Sequence, residues 1–220
     1  MNIVIVGGGH SGWLSALMCS KKIKNIDITV IESKKANVIG VGEGTVPMFY
    51  DVFKNMGYDI YDVLSNINGT LKQAVKFNNW NNDQKNWWHL FWTKHGSDFH
   101  IDQSSFSENT LSSMTRADYF WDILGEKNLV NDSALYYAYH YNSHAFVEFL
   151  KNESLKQKVK HIYGHVNEVY FSNKGDITSI ILDDNTRISN IDFLIDCSGF
   201  KSIIFSKHHK INQNKLFDVI

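Results

Sequence analysis

A run of glycines between a strand pattern and a helix pattern restricts this chain most: Gly7-Gly8-Gly9-His10-Ser11-Gly12. Before it, Asn2-Ile3-Val4-Ile5-Val6 is a short apolar run of the kind buried on both faces of a parallel sheet. After it, residues 11–22 carry Leu14, Leu17 and Met18 at helical spacing, with Lys21 and Lys22 in the last turn, where cations complement the helix dipole. Residues 27–32 return to strand character and end in Glu32, completing a βαβ unit. In that setting the glycines fit G-x-G-x-x-G. Gly7 permits the tight turn, Gly9 lets the backbone approach a pyrophosphate, and Gly12 lets the helix pack closely on the strand. His10 and Ser11 open the helix, whose N-terminal N–H groups and dipole favour a phosphate. Glu32 lies 20 residues after Gly12, where a carboxylate accepts a hydrogen bond from a ribose 2′-hydroxyl. Dinucleotide binding follows, set against the plainer alternative of a glycine-rich turn in an unrelated α/β protein.

At 220 residues and 43% hydrophobic, the chain can bury one core, with room for a subdomain. Its net charge of -1 gives no electrostatic draw toward nucleic acid or an anionic membrane, so neither is expected as a partner. No apolar run approaches the roughly 18 residues that a membrane span needs. The chain enters its first strand without a cationic lead or cleavage site, so no secretory signal is expected. Cys19 and Cys197 form no Cys-x-x-Cys pair and sit in apolar segments, which predicts inert thiols in a reducing cytoplasm.

Further along, the glycine-rich loop Gly40 to Pro47 leads into a helix over about 47–57, with Met48, Phe49, Val52, Phe53 and Met56 on one side. Residues 70–80 alternate as one strand, Lys72 and Lys76 sharing a face that by spacing alone reads as solvated. Residues 115–128 and 142–156 read as helices. Strands are expected at 159–163, 166–172 and 177–182, the last two joined by an Asn173–Asp176 turn, and at 191–197. Spacing does not choose FAD over NAD. The strand Phe193-Leu194-Ile195-Asp196-Cys197-Ser198-Gly199, ending in a small residue and glycine, resembles a flavin motif, as does the N-terminal placement of the fingerprint. Gly40-x-Gly42-x-Gly44 is not a P-loop, because no Lys-Ser/Thr follows.

Four further segments carry a more specific resemblance. Gly40-Val41-Gly42-Glu43-Gly44-Thr45-Val46-Pro47 is similar to the GVGEATVP-like segment of the flavin-dependent tryptophan halogenases, with Gly44 where alanine is common. Leu71-Lys72-Gln73-Ala74-Val75-Lys76-Phe77-Asn78-Asn79-Trp80 resembles that family's FKxAVKFxNW strand. Tyr137 to Asn142 resembles a third segment, with Asn142 where the family usually has aspartate. Asp192 to Phe200 resembles DLFIDCSGF. With the fingerprint, these matches run collinearly from residue 3 to residue 200.

The resemblance implies a Rossmann-like FAD-binding α/β fold of the flavin monooxygenase type with an inserted β-rich and helical substrate region. The nucleotide-binding part would comprise 1–69 and 157–206, and the substrate side 70–156. Gly7, Gly9, His10, Ser11, Gly12, Glu32, Gly42, Gly44, Thr45, Ser198 and Gly199 would bind FAD. In the family, reduced FAD from a separate reductase, with oxygen and a halide ion, yields hypohalous acid, which a lysine holds beside an aromatic substrate. Lys72 falls on that lysine, and an ammonium beside the substrate confers proximity and orientation. The implied partners are a small indole-like aromatic and a flavin reductase.

The family's WxWxIP signature, the glutamate that partners the lysine and the late flavin segment do not occur in these residues. The chain is therefore expected to be an N-terminal portion, incomplete at its C-terminus, exposing apolar surface unless a C-terminal complementing chain covers it. Trp80, Trp87, Trp88, Phe91 and Trp92 read either as core or as a surface that stacks an aromatic substrate. His140 and His144 stand four apart without the glutamate of a metal-hydrolase helix, so no metal is expected. An aromatic hydroxylase of the same cofactor class and an inactive product of a split gene stay open as alternatives.

Overall fold

The strand-turn-helix unit read from the first residues lies at the centre of one of two compact units in the computed structural model of the chain. The structure describes residues 1–35, 40, 42–72, 74–77, 87–90 and 138–209. Within these the helices are α1 (His10–Lys22), α2 (Met48–Asn55), α3 (Ile60–Asn66), α4 (Ser143–Lys156) and α5 (Ile203–His209). The strands begin with β1 (Asn2–Val6), β2 (Asp27–Glu32), β3 (Gly42–Gly44), β4 (Thr70–Lys72), β5 (Ala74–Phe77) and β6 (Trp87–Leu90). They continue with β7 (Ala138–Asn142), β8 (Lys160–Tyr163), β9 (Val166–Phe171), β10 (Ile177–Leu182), β11 (Arg187–Ser189) and β12 (Phe193–Asp196).

The first unit comprises residues 1–41 and 142–220. Its main sheet is parallel, in the order β12-β1-β2-β8. The central β1 pairs Ile5 with Val30 of β2 on one side and with Ile195 of β12 on the other. That double pairing explains why residues 3–6 are all apolar and at most 4% exposed. Val4, Val6 and Ile31 face Val166, Ile180 and Leu182 of an antiparallel sheet, order β11-β10-β9, together with Ile204 of α5. The alternate residues Ile3, Ile5, Ile28 and Val30 are also buried, and α1 lies against β1 and β2.

Helix α1 buries a different stripe from the one expected. Gly12, Trp13, Ala16 and Leu17 are buried, whereas Met18 is 40% exposed. The helix meets β2 and α4 together, which widens its buried arc and centres it on Trp13. Ser154 of α4, fully buried, donates to the Leu150 carbonyl at 2.7 Å and lies 3.4 Å from the Trp13 carbonyl, so a small polar residue lets the two helices approach. Helix α4, assigned from sequence to the substrate side, thus packs on α1 inside the first unit.

The second unit is residues 42–141. Here the single strand expected over 70–80 is two pieces with different partners. β4 joins a sheet of order β3-β7-β4, and β5 pairs with β6. The loop over 40–47 contains the short strand β3. Helix α2 buries Phe53 and its C-cap Met56 is buried too, as the spacing predicts, but Met48 in its first turn is 64% exposed. Helix α3 has no counterpart among the elements expected from sequence. Asp59 caps it, accepting from the Tyr61 N–H at 2.8 Å, and Ile60, Val63 and Ile67 are buried. The expected helix at 115–128 and most of the aromatic stretch after Trp80 lie outside the described residues. No helix among the described residues is long and apolar enough to cross a membrane.

Trp13 is the largest fully buried side chain of the described residues. Replacing it with alanine should cost about 3–5 kcal/mol of stability, read as a shifted midpoint in urea unfolding followed by far-UV circular dichroism. A loss under about 1 kcal/mol would mean that the indole is not the packing centre of the first unit.

Candidate functional site

The glycine turn is built by close backbone approach. Gly7 has φ +124°, its N–H donates to the Ile31 carbonyl at 2.9 Å, and a Cβ there would fall 2.1 Å from the Cys197 carbonyl oxygen. Gly12 lies on the turn itself, for a Cβ there would meet the Gly7 oxygen at 1.8 Å. Gly9 is the exception: a Cβ added to it meets nothing within 4 Å. Gly9 is also the N-cap of α1, with no side-chain cap and no acidic residue in the first turn. An open space thus adjoins N–H groups that no capping side chain answers, which is the arrangement an anion needs. Ser11 is exposed in that first turn. The His10 ring turns elsewhere: its Nε2 donates to the Ser143 carbonyl at 3.0 Å and it packs against Phe146.

Glu32 ends β2 with its side chain lodged under the turn. A Cβ on Gly8 would come 2.3 Å from Glu32 Cγ, so the unassigned position of the motif is also one where only glycine fits. Glu32 Oε2 lies 2.8 Å from His161 Nε2, off hydrogen-bond alignment, and accepts from Lys151 Nζ at 3.5 Å. Lys151 also donates to the Tyr163 hydroxyl at 3.0 Å. Burial lowers the pKa of His161, with Lys151 adding to the effect and Glu32 opposing it. For Lys151 burial works downward, but the Tyr163 bond and Glu32 outweigh it and the net shift is up. Sequence reasoning missed Lys151, His161 and Tyr163. They belong to no motif, and only the parallel pairing of β2 with β8, Ile31 to Ile162 and Glu32 to Tyr163, brings the strand residues here.

At the end of β12 the polar groups are used internally. Asp196 Oδ1 accepts from the Ser198 N–H and hydroxyl, while Oδ2 accepts from the N–H groups of Ile204 and Phe205. Ser198 Oγ accepts in turn from the Ile203 N–H at 2.7 Å. The Ser198 hydroxyl therefore helps to start α5. Gly199, at φ +68°, has open space where a Cβ would stand. Burial raises the thiols of Cys19 and Cys197, in keeping with the inert cysteines read from sequence.

In the second unit Thr45 is pinned to β7 twice. Its N–H donates to the Tyr139 carbonyl at 2.8 Å, and its Oγ1 accepts from the Tyr139 N–H at 2.9 Å. The carbonyl of the same residue accepts from Lys72 Nζ at 3.2 Å. A Cβ on Gly44 would lie 3.0 Å from Lys72 Nζ and 3.5 Å from His140 Nδ1, so glycine here leaves room for the ammonium. The pairing of Thr70 with His140 and Lys72 with Ala138 sets Lys72 and His140 on one face. Tyr139 and Tyr141 point the other way and meet Phe49 of α2. Burial, with Glu43 nearby, raises the Tyr141 hydroxyl. Gly42 is open where a Cβ would stand. Asn142 caps α4, accepting from the Ala145 N–H at 3.0 Å. Among the described residues no cluster of three His, Cys, Asp or Glu side chains is placed to hold a metal ion.

Two substitutions in the turn should separate fold from binding. Gly7→Ala should destabilise the first unit, because its Cβ meets backbone that cannot yield. Gly9→Ala should lower the melting temperature far less than Gly7→Ala and still weaken binding of ADP at least tenfold, measured by calorimetry. Equal melting temperatures for both variants would contradict this assignment of the two glycines. A third expectation concerns pH. In the unfolded chain His161 takes up a proton around the ordinary histidine value of 6.5, while the folded residue resists it. Its stabilising contribution is therefore complete above that value and is lost as pH falls below it. The melting temperature of the wild type should fall more steeply between about pH 6.5 and 5 than that of His161→Gln; parallel curves would count against it.

A family model described as tryptophan halogenase matches residues 2–217. Tryptophan 6-halogenase ThaL of Streptomyces albogriseolus is 27% identical over an alignment covering 93% of this chain and 44% of that protein. Among solved structures, the chain is similar to Xcc4156, a flavin-dependent halogenase from Xanthomonas campestris. The TM-score is 0.75 at 26% identity, over 96% of this chain and 44% of the other. A tryptophan halogenase from Shewanella frigidimarina gives a TM-score of 0.73 at 28% identity, over 96% and 45%. The chain thus spans less than half the length of the relatives it matches.

Proposed function

The chain belongs to the tryptophan halogenase family, and from that premise we propose that it binds FAD through its first unit and takes part in halogenating an indole-like aromatic, with Lys72 as the catalytic residue. The observation that carries this reading is the contact of Lys72 Nζ with the Thr45 carbonyl, against Gly44. It joins two of the segments whose sequences resemble the family, residues 40–47 and 71–80.

The open cradle at Gly9 and the carboxylate of Glu32 fit the adenosine diphosphate half of FAD. Gly7 and Gly12 would shape the turn, and the N–H groups of His10 and Ser11 would face the phosphates. Gly42 and Gly44 would let backbone approach the ring system, and Gly199 the remainder of the cofactor. Reduced flavin, when bound, supplies the electrons with which oxygen converts halide to hypohalous acid.

The chain's own contribution is to hold that oxidant. Lys72 donates from an ammonium whose position the Thr45 carbonyl defines, so hypohalous acid would be presented at one point beside the substrate. The pair of hydrogen bonds between Thr45 and Tyr139 keeps that carbonyl in place. His140, on the same face, adds an imidazole able to make a hydrogen bond there. A separate reductase would supply the reduced flavin.

The test is an assay with reduced FAD, oxygen, bromide and tryptophan or indole, read by mass spectrometry. Lys72→Ala should abolish the brominated product while FAD binding stays within about twofold of wild type. Brominated product at the wild-type rate from that variant would remove Lys72 from the mechanism. A product that forms equally without bromide would point to hydroxylation.

A further inference from the structure

Glu32 is held from one side. Its Oε2 is approached by Lys151 Nζ at 3.5 Å and His161 Nε2 at 2.8 Å, whereas among the described residues no group bonds its Oε1. The three side chains are largely buried, with 14%, 23% and 12% of Lys151, Glu32 and His161 exposed. Lys151 is itself fixed by the Tyr163 hydroxyl at 3.0 Å, and its ammonium lies over the Tyr163 ring at 5.2 Å and the Trp13 ring at 5.8 Å. Gly8 closes the arrangement from above, since any side chain there would displace the Glu32 carboxyl.

We propose that Lys151 is a positioning residue for the cofactor: it holds Glu32 by one carboxylate oxygen so that the other is presented to the 2′-hydroxyl of the adenosine ribose. This rests on the reading of the first unit as an FAD site. Two physical requirements meet in the one ammonium. A carboxylate that must read a hydroxyl needs a single rotamer, and the Lys151 ammonium, itself fixed by the Tyr163 hydroxyl, holds one of its oxygens. A carboxylate beside a diphosphate also adds negative charge to negative charge, and the nearby cation offsets that repulsion. His161, kept neutral by burial, fills the remaining side of Oε2 without adding charge.

The experiment uses the full chain and two probes, ADP and 2′-deoxy-ADP, titrated calorimetrically beside FAD. Wild type should bind ADP about tenfold more tightly than 2′-deoxy-ADP, the value of one charge-assisted hydrogen bond. Lys151→Met should bind both equally, and Lys151→Arg should restore most of the preference. A merely structural role would weaken both nucleotides alike and leave their ratio unchanged, so an unchanged ratio in Lys151→Met overturns the proposal. If Lys151→Met does not fold, Tyr163→Phe, which removes the second grip on Lys151, should reduce the ratio, and an unchanged ratio there overturns it equally. Wild type that binds FAD but does not distinguish the two probes overturns it as well. Failure of wild type to bind FAD or ADP would instead overturn the cofactor reading on which the proposal stands, and the proposal with it.

Discussion

Gly7 donates its N–H to Ile31 while its Cα lies against the carbonyl of Cys197, so the ends of β2, β1 and β12 converge on one residue that has no side chain. Everything in the first unit is arranged around that convergence. The positive φ at Gly7 turns the chain abruptly enough for α1 to start at once. The lack of a Cβ on Gly12 then lets the helix settle on the turn. With the helix so placed, Trp13 is fully buried and α4 packs against α1. The crowding stops at Gly9, where the space is open. Tight contact at Gly7, Gly8 and Gly12 and none at Gly9 is what a ligand-binding turn requires, since the fold must be dense around the site and vacant at it.

The second unit uses hydrogen bonds where the first uses close approach. Thr45 is held to Tyr139 by both backbone and side chain, and the lysine amine is referred to the Thr45 carbonyl. Asn142 caps α4 through its side-chain oxygen, a role that an aspartate would fill equally well.

Much of the first unit is legible in the sequence because its signals are local. An apolar run, a glycine pattern and an acid at the end of the next strand lie within residues 2–32, and the structure has β1, α1 and β2 within a residue or so of their expected bounds. What the sequence does not announce is pairing. The alternation over residues 70–80 is real, yet β4 and β5 pair with different strands, and no periodicity reports a change of partner. The buried stripe of α1 departs from its own spacing for a similar reason: its centre depends on α4, more than a hundred residues further along. Helix α3 escapes a reading by period because seven residues give that period too little length to show, although its Asp59 cap is a visible signal. The cluster of Lys151, His161 and Tyr163 around Glu32 is the extreme case, formed wholly by tertiary contact.

Gly44 bears on how a long, supple side chain is held in place. Lysine has four rotatable bonds in its stem, and confining them costs about 2 kcal/mol of rotamer entropy. Here the empty position at Gly44 and the waiting Thr45 carbonyl confine the Lys72 side chain within the folded chain itself. That disorder is surrendered once, when the polypeptide folds, and need not be surrendered again at each encounter with a small molecule.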